Sequence, residues 1–155
     1  MRERFNLKNA PSGRPITLPL KLPTVTNVSV PGTILVVEDN EAVRKFTIMT
    51  LRSHGYRILE AFDGESGLAT FLRHRHKVEL VLTDTEMTPH SGPEMVEEIL
   101  RVDPFARIGF MSGTARACEL PRRLNELPML EKPFSAEHLI RFVRESVHAT
   151  RKAVQ

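Results

Sequence analysis

The sequence predicts an α/β fold, a doubly wound five-stranded parallel sheet with helices on both faces. Three observations carry that expectation. Short apolar runs rich in β-branched residues alternate with stretches of helical period from Thr33 to Ala149. Three of those runs end in charge: ILVVEDN at Ile34 to Asn40, LVLTDTEM at Leu80 to Met87, and LEKPF at Leu130 to Phe134. The repeating strand-helix unit, with right-handed crossovers, closes into one sheet covered on both sides.

Strand one, Thr33 to Val37, leads into a helix near Glu41 to His54, whose stripe Val43, Phe46, Thr47, Thr50 and Leu51 should face inward. Gly55 follows as a C′ glycine. Strand two is Tyr56 to Ala61, and Asp63 caps a helix burying Leu68, Phe71 and Leu72. Strand three runs from Val78 to Thr83. Pro93 opens a third helix to about Val102, with Val96, Ile99 and Leu100 inward, and Arg107 to Met111 forms strand four. A short fourth helix spans Pro121 to Leu127, and a brief strand lies at Met129 to Leu130. Ser135 caps the last helix, Ala136 to Ala149, which buries Leu139, Phe142, Val143 and Val147.

With 155 residues, 41% of them apolar, one core suffices and two domains do not fit. Residues 1–32 hold Arg2, Arg4, Lys8, Arg14 and Lys21 against Glu3, a net of +4, so the overall +3 leaves −1 for the rest. The folded part is thus not a basic nucleic-acid binder. Five of the eleven prolines (Pro11, Pro15, Pro19, Pro23, Pro31) fall in this basic stretch, which carries no helical or strand period, so it reads as a largely disordered tail or linker. Residues 33–150 form the folded domain and 151–155 a short basic tail. Cys118 is the single cysteine and reads as inert; no internal disulfide, membrane span or signal-peptide core is expected, and a reducing cytoplasm is the default.

In open α/β sheets ligands bind beyond the carboxyl ends of the strands. Glu38, Asp39, Asp84 and Lys132 would therefore converge on one small site. Two carboxylates about 4 Å apart repel by about 4 kcal/mol at an effective dielectric of 20, so a cation must sit among them. Capping is the duller use of Asp39, just before Glu41, and Lys132 could be a solvated surface lysine. The run Arg73-His74-Arg75-His76-Lys77 reads as a solvated basic helix end.

With these residues in order, Thr33 to about Thr150 resembles the receiver domain of two-component response regulators. The resemblance rests on five elements: the pair Glu38-Asp39, the lone Asp84 after strand three, the DTEMTPHSG loop to Gly92, Ser112 in GFMSGTA, and Lys132-Pro133-Phe134. It implies a flavodoxin-like strand order 2-1-3-4-5 and a signalling switch whose only chemistry is its own phosphorylation and dephosphorylation. Asp84 is then the phosphoacceptor. Glu38, Asp39, Asp84 and the backbone carbonyl of Glu86 hold Mg²⁺, Ser112 and Lys132 contact the phosphoryl group, and a cis Lys132-Pro133 bond aims the lysine inward. The phosphoryl donor would be a phosphohistidine of a sensor histidine kinase or phosphotransfer domain. It would dock near Asn40, Arg44 and Pro133-Phe134, with Ile48 and Met49 widening the patch, and an unknown downstream protein would read the result.

The chain departs from the family pattern at Met129, where an aromatic is usual, at Thr88, where proline is usual, and in the short fourth helix. With only residues 151–155 after the last helix, the chain reads as a stand-alone regulator or the receiver segment of a hybrid sensor histidine kinase. Gly13 to Pro23 weakly resembles the closing strand of the ATP-binding domain in such kinases. A separate reading compares DTEMT with the D-x-D-x-T loop of haloacid-dehalogenase-type phosphatases, but position 86 is Glu and the acid pair precedes Asp84. VVEDNEAVR has no glycine-rich turn for a nucleotide.

Overall fold

The computed structural model describes residues 32–113 and 120–149. The basic N-terminal tail, the 151–155 tail and Cys118 lie outside those residues. The described chain runs β1 (Thr33–Val37), α1 (Glu41–Ser53), β2 (Arg57–Ala61), α2 (Gly64–His74), β3 (Val78–Asp84), α3 (Gly92–Val102), β4 (Ile108–Ser112), a 3-10 turn (Arg122–Leu124), β5 (Met129–Glu131) and α4 (Ala136–His148). All strand pairings are parallel and the order is β2-β1-β3-β4-β5, as expected.

Strand side chains alternate between faces, and the core divides accordingly. Ile34, Val36, Leu80 and Leu82 pack under α1 and α4 with Leu51, Leu139 and Val143. Leu35, Val37 and Val81 pack under α2 and α3 with Phe71, Val96 and Ile99. The sheet carries apolar residues on both faces because both faces are covered, which is why its central strands read as continuous runs rather than alternating ones. Asp63 and Ser135 cap α2 and α4 as anticipated, and Ser91 with Glu94 makes a capping box that starts α3.

Four expectations are corrected. On α1 the inward residues are Thr47, Ile48 and Leu51, while Phe46 is 43% exposed; the stripe is rotated by one position, and Ile48 belongs to the core rather than to an outer patch. Phe46 instead packs against Phe134, the rings tilted by 42° with centroids 6.2 Å apart. On α2, Leu72 sits one residue, about 100°, past the buried Phe71 and faces solvent. On α4 the buried positions are Leu139, Ile140, Val143 and Ser146, and Phe142 and Val147 are only partly buried. The fourth helix is reduced to the 3-10 turn Arg122–Leu124. Pro121 immediately precedes that turn, and Leu124 alone in it is fully buried, so one side chain plugs the core where a helix face was expected.

Both described ends lie at one pole. The carbonyl of Gly32 accepts from Arg57 N–H at the start of β2, and the carbonyl of Ala149 accepts from the Arg107 guanidinium just before β4. The carboxyl ends of the strands point to the other pole.

Candidate functional site

At that other pole the ends of β1, β3 and β5 bring together the acids and the lysine singled out from the sequence. Carboxylate oxygens of Glu38, Asp39 and Asp84 lie within 4.8 Å of one another. Lys132 Nζ is 2.7 Å from Glu38 Oε2 and 3.0 Å from Asp84 Oδ2. Ser112 ends β4 beside them, and its carbonyl accepts from Lys132 N–H at 2.7 Å. Lys132-Pro133 is cis, as the resemblance implied, and the lysine points into the pocket; a second cis bond, Thr88-Pro89, was not expected.

Local structure explains each placement. Glu38 has no exposed surface, and its Oε1 accepts from Asn40 N–H at 3.1 Å. Asn40, not Asp39, caps α1, accepting from Ala42 and Val43 N–H, so the capping alternative for Asp39 does not apply. Asp84 Oδ1 accepts from Glu86 N–H at 3.2 Å. Gly92 opens α3 against the backbone of Asp84: a Cβ there would overlap Asp84's carbonyl oxygen, so glycine lets the helix start come this close. Arg44 reaches back along the loop, donating to the carbonyls of Glu38 and Asp39.

The electrostatics follow from burial. Desolvation is the largest influence on Glu38 and, with the Asp84 charge, raises its carboxyl above the usual range despite the hydrogen bond from Lys132. For Lys132 burial again weighs most and pulls the ammonium down. The bonds to Glu38 and Asp84 and their charges together outweigh it, and the net shift is upward. The ammonium is therefore firmly protonated between two acids. Three carboxylates against one lysine leave the cluster with an excess of negative charge and hard oxygen donors, the donor chemistry that suits a divalent cation such as Mg²⁺.

Beside this pocket, Ala42, Val43, Phe46, Gly113, Pro133 and Phe134 line an apolar recess that shares Lys132 with it. Among the described residues no helix is long and apolar enough to cross a membrane.

Comparison with known proteins agrees with this geometry. The family model described as response regulator receiver domain matches residues 34–144. The chain is 33% identical over 128 residues to the sensor kinase CckA of Brucella abortus, covering 81% of this chain but only 13% of that protein. It is 26% identical to the response regulator receiver protein CpdR of the same organism, covering 75% of this chain and 97% of that one. Among solved structures, the receiver domain of the hybrid histidine kinase CckA is similar at 29% identity and a TM-score of 0.65, covering 76% of this chain and all of that domain. A receiver domain protein from Clostridium thermocellum matches the fold with a TM-score of 0.69 at 23% identity, covering 75% of this chain and 94% of that one.

Proposed function

This chain belongs to the response regulator receiver domain family of two-component signalling, and on that premise we propose that Asp84 is its phosphoacceptor. The observation that carries the proposal is the position of the Asp84 carboxylate: at the end of β3, within 4.8 Å of two further carboxylates and 3.0 Å from the partly buried Lys132 ammonium. An aspartate that attacks phosphorus needs charge neutralised around the incoming oxygens, and catalysis of phosphoryl transfer is mainly positioning and electrostatics.

Asp39, Asp84 and the Glu86 carbonyl would hold Mg²⁺, with Glu38 holding a water beside it. The cation would supply charge neutralisation for the phosphoryl oxygens. Asp84 attacks the phosphorus of a phosphohistidine in line. Its Oδ–P bond forms as the N–P bond breaks, and the departing imidazole takes up a proton. Lys132, displaced from its tie to Asp84, moves its ammonium onto a phosphoryl oxygen while keeping Glu38 as its second partner. The Ser112 hydroxyl donates to another oxygen. The acyl phosphate then biases the loops at this pole toward a second arrangement that a downstream protein reads. No chemistry beyond this self-phosphorylation and its reversal is ascribed to the domain.

The phosphohistidine donor would come from a histidine kinase or phosphotransfer domain seated on the recess of Val43, Phe46, Pro133 and Phe134, next to Lys132. The similarity to a kinase-borne receiver, over 13% of that kinase, favours a hybrid sensor kinase as the setting. A cytoplasmic location goes with that partner class. Residues 1–31 serve as a linker in this reading, and deleting them should leave melting temperature and labelling unchanged.

The test is intact-mass measurement after incubation with acetyl phosphate. One added phosphate is expected with MgCl₂ and none with EDTA, and Asp84→Asn should stay unlabelled. Equal labelling of Asp84→Asn would place the phosphate elsewhere, and turnover of p-nitrophenyl phosphate would favour the phosphatase reading.

A further inference from the structure

We propose that Arg44 is a positioning residue for the cation pocket, clamping the backbone on both sides of Asp39 and so fixing where the Asp39 carboxylate points. The inference rests on the reading of Glu38, Asp39 and Asp84 as a Mg²⁺ site.

The three carboxylates are not held alike. Glu38 is fixed through both oxygens, by Asn40 N–H and by Lys132. Asp84 is fixed through both as well, by Glu86 N–H and by Lys132. Among the described residues the Asp39 carboxylate has no hydrogen bond or ion pair; Asp39 takes part through its backbone carbonyl. The direction of its side chain is therefore inherited from its backbone.

That backbone is where Arg44 acts. A single guanidinium nitrogen, Nη1, lies 2.8 Å from the carbonyl of Glu38 and 3.2 Å from the carbonyl of Asp39. The first carbonyl belongs to the peptide plane before the Asp39 Cα and the second to the plane after it. Holding both against one donor restricts φ and ψ of Asp39 together, and with them the Cα–Cβ direction. The clamp is itself anchored, because Arg44 sits on α1, whose start is capped by Asn40 from the same loop, and Arg44 N–H donates to the Asn40 carbonyl at 2.9 Å. Groups of this kind, one step removed from the metal, are commonly worth tenfold or more in metal affinity.

Electrostatics give the inference a decisive sign. Arg44 carries a positive charge close to the pocket, and a cation there repels Mg²⁺. If Arg44 were only a nearby charge, removing it would tighten Mg²⁺ binding; if it positions Asp39, removing it weakens binding.

Isothermal titration of the 155-residue chain with MgCl₂ at fixed ionic strength, alongside thermal melts, separates the two. For Arg44→Ala we expect Mg²⁺ affinity about tenfold weaker with a melting temperature close to that of the parent. Arg44→Gln keeps a donor but is too short to reach both carbonyls, and it carries the same expectation should Arg44→Ala fail to fold. Affinity equal to or tighter than the parent in the folded variant overturns the clamp. Asp39→Asn marks the underlying reading: if the parent binds no Mg²⁺, or Asp39→Asn binds it as tightly, the pocket itself has been misread and the clamp falls with it.

Discussion

Replacing Lys132 by methionine tests whether the buried acids depend on its charge. The ammonium lies 2.7 Å from Glu38 and 3.0 Å from Asp84, and the Glu38 side chain is wholly buried. Removing one partner of a buried ion pair typically costs about 3–5 kcal/mol. Here the cost has a ceiling, because the acid pair can take up one proton instead of remaining unpaired. Protonating a glutamate of ordinary pKa near 4.3 costs about 1.4 kcal/mol for each pH unit above that value, hence about 3.7 kcal/mol at pH 7 and about 1 kcal/mol at pH 5. Glu38 is the natural proton acceptor, since its carboxyl is already raised by burial and by Asp84. A raised carboxyl pKa means that the folded state binds the proton more tightly, so the variant loses stability as pH rises above the unfolded value. Lys132 contributes no titration of its own to this comparison: its pKa is raised above the ordinary lysine value, so its stabilisation is complete at these pH values and is lost only in the alkaline range. Urea unfolding followed by far-ultraviolet circular dichroism in EDTA, at pH 5, 6 and 7, should show a destabilisation that grows with pH by up to about 1.4 kcal/mol per unit, less where the parent's own raised Glu38 still carries a proton. A difference that is small and flat with pH would refute the claim that Lys132 neutralises the pair.

Other residues offer independent checks. Thr47 is buried on α1 with no hydrogen-bond partner for its hydroxyl among the described residues, so Thr47→Val should raise stability by about 1 kcal/mol in urea titration, and a loss would reveal a bond the hydroxyl makes. Asp63→Ala should cost about 1 kcal/mol at pH 7 by uncapping α2. The Ser66 backbone N–H holds the Asp63 carboxyl below its ordinary value, so this contribution is present above about pH 4 and fades as pH falls through the lowered value, which unfolding at pH 5 and pH 3 would display. Gly92→Ala must push α3 away from the Asp84 carbonyl; a stability loss of about 1–3 kcal/mol should accompany slower labelling of Asp84, and unchanged labelling would mean that the loop absorbs the methyl group.

The sheet and the acid cluster were legible because their signals are local. Apolar runs name the strands, and charges at their ends name the pole, so Glu38, Asp39, Asp84 and Lys132 fall together in the structure as they did in the sequence. The face of α1 was misjudged because Phe46, Ile48 and Met49 are all large and apolar; hydropathy alone does not choose which of them turns inward, and the Phe134 ring that engages Phe46 comes from the far end of the chain. Pro121 signalled a weakened fourth helix, but not that Leu124 would suffice to seal the core. The reach of Arg44 was invisible for another reason: backbone carbonyls are common to every residue, so a side chain that grips them leaves no pattern in its targets.

The arrangement of the two described ends has a practical and architectural side. Gly32 and Ala149 both lie at the starting ends of the strands, whereas the acids lie at the finishing ends, about 20 Å away along the seven-residue β3. The chain therefore enters and leaves the described domain from behind, at the pole opposite the acids. Such a unit can be spliced between other domains, or moved from one protein to another, without redesign of its pocket, much as a cartridge is wired from behind and read from the front.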